Sequence, residues 1–274
     1  MVGTCGWAEL GSQLRTGAFD GVRSSQKDPY WAAERGSIVR LDTKFSLIIP
    51  CYNEAANLPS VLDRCGSLAD DGSIEVVLVD NGSTDDTPQI LAALLPRFPG
   101  TTTVRVERNR GYGFGILSGL RVARGSVLGW THADMQTDPR DVLRGLTLFD
   151  QFGSDSFVKG RRHGRPFADV FFTTGMSLFE TILLGTPMWD INAQPTIFSR
   201  RFFDSWQNPP FDFSLDLYAY YCARKAGLGV HRFPVIFGQR AHGVSHWNVN
   251  WTRKREFIRR TVQFSLQLRK AMKS

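Results

Sequence analysis

The sequence is poor in the features that mark several large protein classes. It has no run of about 18 uncharged apolar residues, the length a membrane-crossing helix needs. The nearest approach, Val170 to Trp189, carries Glu180 inside it, so a spanning helix is not expected. The opening Met1-Val-Gly-Thr-Cys-Gly-Trp-Ala-Glu-Leu lacks the basic and then apolar pattern of a signal peptide. Cysteine is scarce: Cys5, Cys51, Cys65 and Cys222 show neither paired nor metal-type spacing. Two of them lie in apolar surroundings, which reads as free thiols in a reducing compartment. Internal repeats and low-complexity tracts are missing too. These absences point to a cytoplasmic protein, with the inner face of the cell membrane as a candidate resting surface.

What is there suits one large α/β domain with appendages. Apolar residues make up 42% and charged residues 22%, ordinary globular usage that argues against wholesale disorder. The net charge of +7 is local. From Trp251 to Ser274 eight Lys or Arg (Arg253, Lys254, Arg255, Arg259, Arg260, Arg269, Lys270, Lys273) face one acid, Glu256. That sums to +7 and leaves the rest of the chain neutral. The same segment carries Trp251, Ile258, Val262 and Leu266 in a helical stripe interrupted by Arg255 and Arg269. It either packs back onto the domain or lies on an anionic leaflet, worth about 1 kcal/mol per basic residue near the surface. No nucleic-acid-binding module accompanies the charge, so nucleic acid is not expected as a partner.

Residues 1–43 lack periodic apolar pattern and are rich in Gly, Ser, Arg and Gln. They read as an N-terminal extension, partly disordered. From Lys44 the texture changes. Phe45-Ser-Leu-Ile-Ile-Pro50 and Ile74-Glu-Val-Val-Leu-Val79 suit strands buried on both faces. Thr103–Glu107 and Ser126–Trp130 read as a third and a fourth. Leu58–Leu68, a segment capped by Thr84 or Asp85 with Pro88 in its first turn, a segment ending at Arg124, and Pro139–Phe149 read as helices. This alternation implies right-handed crossovers and a doubly wound, mostly parallel sheet. The domain then spans 44–247, and a basic C-terminal helix spans 248–274.

In such sheets ligands bind at the carboxyl ends of strands. Those ends are polar here: Cys51-Tyr52-Asn53-Glu54, Asp80-Asn81-Gly82-Ser83, and Thr131-His132-Ala133-Asp134-Met135-Gln136-Thr137-Asp138. One such carboxylate is most simply a loop residue or a helix cap, but three at neighbouring strand ends converge on one crevice. Carboxylates accept hydrogen bonds from ribose hydroxyls and base amino groups. A departing pyrophosphate needs a divalent cation, and Mg²⁺ or Mn²⁺ prefers oxygen ligands. Asp134 and Gln136 lie two apart just past a strand, so extended backbone would aim both the same way. They are the candidate metal ligands.

Ile49-Pro-Cys-Tyr-Asn-Glu54, Val79-Asp-Asn-Gly-Ser-Thr-Asp85, Asn109-Arg-Gly-Tyr-Gly113 and Ala133-Asp-Met-Gln136 occur in this order. Together they resemble the inverting GT-A glycosyltransferases of family 2, most of all the dolichyl-phosphate mannose synthase branch. The resemblance covers about 44–247 and implies a GT-A fold, a nucleotide-sugar donor, and Mn²⁺ or Mg²⁺. It implies that Pro50, Tyr52, Glu54, Val79, Asp80 and Asn81, with Ala133, line the nucleotide pocket, and that Asp134 and Gln136 hold the metal. Lys159-Gly-Arg161 resembles that branch's Gly-Ser-Arg, whose arginine faces phosphates. Arg240-Ala-His-Gly-Val-Ser-His246 resembles its Arg-x-x-Gly-x-Ser-Lys, which folds over the donor. Forked guanidinium donors match phosphate oxygens. The chain departs from the branch in three places. His132 stands for the first acid of Asp-x-Asp, Asn81 for the second acid of Asp-Asp-Gly-Ser, and His246 for the closing lysine.

Gly111-Tyr-Gly-Phe-Gly115 is not a dinucleotide fingerprint, because Ile116 takes the final glycine position and the motif follows the third strand. It reads as a tight turn opening a helix near the diphosphate. Asp190-Ile-Asn-Ala-Gln-Pro195 precedes a predicted strand at Thr196–Phe198 and either holds the acceptor region or simply turns. Asp216, one turn into a helix opened by Asp212 or Ser214, is the candidate acid facing the acceptor. A hydroxyl acceptor needs its proton removed. A lipid phosphate does not, and Arg161, Arg162, His163 and Arg165 form a basic cluster able to hold one, or a solvated loop.

The expected reaction is metal-dependent inverting transfer of a sugar to a polyprenyl phosphate or a cell-envelope glycan, with Asp134, Asp216 and Arg161 as catalytic candidates. His132 and His246 motivate a rival, a catalytically degenerate nucleotide-sugar-binding protein. A nucleotidyltransferase ranks last, since the first loop is acidic and glycine-free.

Overall fold

The structure, a computed structural model, describes residues 44–69, 72–240 and 251–271. The expectations for residues 1–43, for Cys5 and for His246 lie outside them. Two apolar runs form the centre of the sheet: β1 (Phe45–Cys51) and β2 (Ile74–Asn81). Leu47, Ile48 and Ile49 are fully buried on alternate faces, each contributing roughly 2 kcal/mol of burial. Between the strands runs α1 (Leu58–Ala69), which buries Leu58, Val61, Leu62, Cys65 and Leu68, the stripe of a core-facing helix.

After β2 come α2 (Thr87–Leu94), β3 (Thr101–Val106), α3 (Tyr112–Val122) and β4 (Val127–Trp130). The N–H of Thr87 donates to Asp85 Oδ1 (3.0 Å), so Asp85 rather than Thr84 supports the start of α2. The chain continues through α4 (Val142–Phe152), β5 (Ser156–His163), α5 (Phe167–Leu184), β6 (Thr196–Ser199), α6 (Arg200–Asp204), α7 (Ser214–Lys225) and β7 (Gly229–Ile236), and ends in α8 (Trp251–Ala271).

The sheet order is β3-β2-β1-β4-β6-β5-β7. β1 pairs in parallel with β2 and β4, and β2 with β3. β6 runs antiparallel to both β4 and β5, while β7 is parallel to β5. One reversed strand therefore restores the direction of β5 and β7. The carboxyl ends of the other six strands and the amino end of β6 meet at a single edge. One core layer packs α1 and α4 on the sheet; the other packs α3 and α7.

Two helices stand apart. By length and composition α5 is apolar enough to cross a membrane. It buries Ser177, Glu180 and Leu184 and leaves Phe167 (84%), Phe171, Leu178 and Ile182 exposed, a stripe at spacings of four, seven and four. α8 packs on its buried side, where Ser265 Oγ donates to Glu180 Oε1 (2.7 Å). Of the tail stripe expected from Ile258, Val262 and Leu266, the first two are only half-buried. Ser265 and Leu268 are the buried positions, and Leu266 is 44% exposed.

Candidate functional site

Neighbouring β2, β1 and β4 bring their three loops together. Asp80 is buried at the tip of β2, and its Oδ1 accepts the N–H of Ser83 (2.9 Å). Its Oδ2 has Arg105 Nε at 3.7 Å and no hydrogen bond among the described residues. That turn requires glycine at 82: φ is +73°, and a Cβ would lie 2.4 Å from the Asn109 nitrogen. Asn81 donates Nδ2 to the Gly111 carbonyl (2.9 Å), while its Oδ1 is buried with no hydrogen-bond partner among the described residues. Asn53, left-handed at φ 56°, ties the first loop to the second. Its N–H donates to Ser83 Oγ (3.1 Å) and its Oδ1 accepts the Thr84 N–H (2.8 Å).

Glu54 is half-buried. Its N–H donates to Thr87 Oγ1 (3.0 Å), and its Oε2 accepts Asn57 Nδ2 (2.5 Å). Burial raises its pKa above the usual carboxylate value; the Asn57 hydrogen bond opposes this, Asp134 raises it further, and Arg240 pulls it back. The Glu54 carboxyl thus senses the charges of both Asp134 and Arg240. Pro50 and Tyr52 are half-buried. Val79 and Ala133 lie inside the two core layers, so only their backbone is available to a ligand.

Asp134 is 6% exposed. Its Oδ1 accepts the N–H of Gln136 (3.1 Å) and its Oδ2 pairs with an Arg240 nitrogen at 2.9 Å. Met135 between them is left-handed, φ 58°. The chain turns there, so the expectation that extended backbone aims Asp134 and Gln136 alike is corrected: the loop curls and the Asp134 carboxylate caps it. Gln136 Nε2 donates to the Gly238 carbonyl (3.2 Å), and Gly238 N–H donates to the Gln136 carbonyl (2.8 Å). Because β7 is parallel to β5, the segment after it arrives at this edge, and Arg240 with it. Arg240 Nε is buried without a hydrogen-bond partner among the described residues.

A wall closes the other side. Tyr112 opens α3 and stacks on His132 (centroids 5.5 Å apart) and on Phe213 (4.8 Å). Gln194 Nε2 donates to Tyr112 Oη (3.4 Å) and to Asp216 Oδ1 (2.7 Å), which also accepts Trp130 Nε1 (3.3 Å). Asp216 is 2% exposed. This departs from the expectation of an acid facing the acceptor, because its carboxylate is enclosed and engaged by two donors. Burial, and after it Asp216, raises the Tyr112 pKa.

Lys159, fully buried, donates to Thr196 Oγ1 (2.7 Å), which donates to Gln194 Oε1 (3.2 Å). Burial lowers the Lys159 pKa to about 7. The Lys159-Gly-Arg161 motif pointed to the arginine; the signal for this network was the lysine before it, inside the apolar start of β5. The glycine turn at 111–115 packs against the 210–212 loop, with Phe114 N–H donating to the Phe211 carbonyl (2.9 Å).

The basic cluster is partly spent. Arg162 hydrogen-bonds Asp190, and Arg165 lies 3.7 Å from the same carboxylate. Burial would raise the Asp190 pKa, but Arg162 outweighs it and holds it low. Arg161 is exposed on β5, with no ion pair to Asp134 or Glu54 among the described residues.

The unmet atoms test what fits. Acceptor oxygens on Asp80 and Asn81 suit a nucleoside's donors, and Arg240 Nε suits a phosphate. For a hard cation the chain offers the Asp134 carboxylate, the Gln136 amide oxygen and the His132 imidazole. No group of three His, Cys, Asp or Glu gathers among the described residues. A cation therefore fits only if a bound phosphate completes its oxygen shell, the usual arrangement for Mg²⁺ beside nucleotides.

The fold is that of GT-A glycosyltransferases. It matches a mannosyltransferase from Pyrobaculum calidifontis in complex with GDP-Man and Mn²⁺ (TM-score 0.60, 21% identity, 83% of this chain and 65% of that one). It also matches glucosyl-3-phosphoglycerate synthase from Mycobacterium tuberculosis with Mn²⁺, UDP and glucosyl-3-phosphoglycerate (TM-score 0.63, 20% identity, 83% and 80%). The sequence profile of glycosyl transferase family 2 matches residues 46–206, and the chain belongs to that family.

Among curated relatives, undecaprenyl-phosphate 4-deoxy-4-formamido-L-arabinose transferase of Pseudomonas paraeruginosa is 40% identical over 105 residues, 36% of this chain. The Sodalis glossinidius protein of the same name is 35% identical over 149 residues, 49% of this chain. The chain spans 30% and 45% of those two relatives' length.

Proposed function

We propose that the chain is a metal-dependent inverting glycosyltransferase moving a sugar from a nucleoside diphosphate to a polyprenyl phosphate. The observation that carries this is a set of polar atoms at one sheet edge with no hydrogen bond among the described residues: buried acceptors on Asp80 and Asn81, and a buried donor on Arg240. Their order suits a nucleoside at one end and phosphates at the other. Asp80 and Glu54 hold the nucleoside. Asp134 and Gln136 hold Mn²⁺ or Mg²⁺, which supplies positive charge for the departing diphosphate. Arg240 and Arg161 steady phosphates, with His246 following Arg240 in the chain. Tyr112, Gln194 and Asp216 form a rigid wall that limits how donor and acceptor sit.

An acceptor phosphate is favoured over a glycan hydroxyl for a physical reason. Asp216 is engaged by Trp130 and Gln194, so it is poorly placed as the base a hydroxyl would need. A phosphate is already anionic and needs none. The relatives' names, which specify undecaprenyl phosphate, support the same class. So does the surface beyond β5. The apolar stripe on α5 and the exposed Arg255, Arg259, Arg260, Arg269 and Lys270 of α8 match an anionic bilayer, which would place the protein at the cytoplasmic face of the membrane.

The test is a transfer and hydrolysis screen of nucleotide sugars with Mn²⁺ or Mg²⁺ and a short polyprenyl phosphate. The expected result is metal-dependent release of nucleoside diphosphate, with Asp134→Ala slowed at least about a thousandfold, or ~4 kcal/mol. Donor binding by calorimetry with no diphosphate released under any acceptor would overturn the enzyme and leave a nucleotide-sugar-binding protein.

A further inference from the structure

We propose that Arg240 closes the cation site by standing as counter-ion to Asp134, and that the donor's diphosphate draws it away, so that cation and donor enter as a coupled pair. The proposal rests on the reading of this edge as a nucleotide-sugar site.

Charge is the first reason. From Thr131 to Thr137 the only acid is Asp134, with His132 two residues earlier in place of a second one. The next acid, Asp138, is paired with Arg64 and Arg140. Among the described residues a single guanidinium, that of Arg240, pairs with the loop's acid.

Geometry is the second. Asp134 Oδ2 has the Arg240 nitrogen at 2.9 Å, and Oδ1 receives the Gln136 N–H at 3.1 Å. A divalent cation bound to that carboxylate would sit about 2.1 Å from an oxygen, where it would press against the guanidinium. The two positive charges exclude each other.

The third reason is that Arg240 has somewhere to go. Its buried Nε makes no hydrogen bond among the described residues, and a guanidinium's forked donors fit phosphate oxygens two at a time. The backbone that carries it is held to the cation loop by the two bonds between Gly238 and Gln136. The exchange is thus a side-chain swing on a fixed segment. A diphosphate would pull the guanidinium off Asp134 and lend its own oxygens to the cation, both in one step.

The experiment measures Mn²⁺ binding by the paramagnetic resonance of free Mn²⁺, for the parent chain, Arg240→Gln and Arg240→Lys, alone and with UDP or GDP. Arg240→Gln is expected to bind Mn²⁺ alone about tenfold more tightly than the parent, and to gain less from nucleotide. Arg240→Lys keeps a counter-ion and stays near the parent, which separates loss of charge from loss of fold. Equal Mn²⁺ affinity of parent and Arg240→Gln without nucleotide overturns the latch; if UDP or GDP still strengthens binding, the site reading stands. No Mn²⁺ bound by any protein in any mixture overturns the latch and the cation role together.

Discussion

Along the sheet edge from β2 through β1 to β4, the carboxylates of Asp80 and Asp134 are buried and held by backbone N–H groups of their own loops. Asp80 is fixed by Ser83, Asp134 by Gln136, and Asn53 stitches two loops together. Beyond β5 the pattern inverts. α5 exposes Phe167, Phe171, Leu178 and Ile182 to solvent, and α8 exposes arginines and lysines. The first region has its geometry set before any ligand arrives, which suits recognition of a small polar molecule. The second leaves apolar area uncovered, which suits a broad, soft, anionic surface. Under the proposed function, donor and lipid recognition would fall to different stretches of the chain.

That division can be broken by experiment. The largest effect is expected from Asp80→Ala: nucleoside diphosphate affinity should fall roughly thirtyfold by calorimetry, about 2 kcal/mol for a lost charged hydrogen bond. Sedimentation with anionic vesicles should not change. A variant that loses both would show that the two regions are not separable.

Next comes Phe171→Asp combined with Ile182→Asp, which should lower vesicle binding about tenfold while nucleotide affinity stays within about twofold. Undiminished vesicle binding would remove α5 from the lipid surface.

The smallest effect concerns how α8 joins α5. Burial raises the Glu180 pKa from 4.5 to about 7, against the Ser265 hydrogen bond. The folded state therefore keeps a proton that the unfolded chain releases, and stability falls as pH rises from 4.5 to 7. Glu180→Gln should abolish that slope and gain about 1 kcal/mol over the parent by pH 7, read by urea unfolding at several pH values. A difference that does not vary with pH would mean Glu180 does not titrate in this contact.

The central strands were legible because apolar runs such as Leu47–Ile49 and Val76–Val79 admit little else. The two-faced burial they imply is what the sheet shows. The reversal of β6 was not legible, since four residues of TIFS pair equally well in either direction and the packed neighbours decide. β5 escaped notice because its second half, Lys159-Gly-Arg-Arg-His163, reads as a loop; β7 lies at the sheet edge with a mixed pattern.

At the site, the sequence placed the polar strand ends well but not their local shape. Alternation along an extended chain failed at Met135, whose left-handed backbone no pattern announced. Asp216 was visible as an acid one turn into a helix, but its burial depends on Trp130 and Gln194, which are distant in sequence. In the tail, Ile258, Val262 and Leu266 formed the evident stripe. The face that docks runs through Ser265 and Leu268, because Glu180 supplies a polar partner there.

That glutamate also bears on how α5 sits. The helix is 18 residues long and, by hydropathy, a candidate to pierce a bilayer. To do so it would have to break the bond to Ser265 and carry an acid through hydrocarbon, at a cost of about 2.5 kcal/mol or more. Lying flat, it keeps Glu180 turned toward the protein and its phenylalanines turned outward. At a bilayer, a single carboxyl group would thus act as a keel: it would set the helix's roll about its own axis and favour floating over crossing.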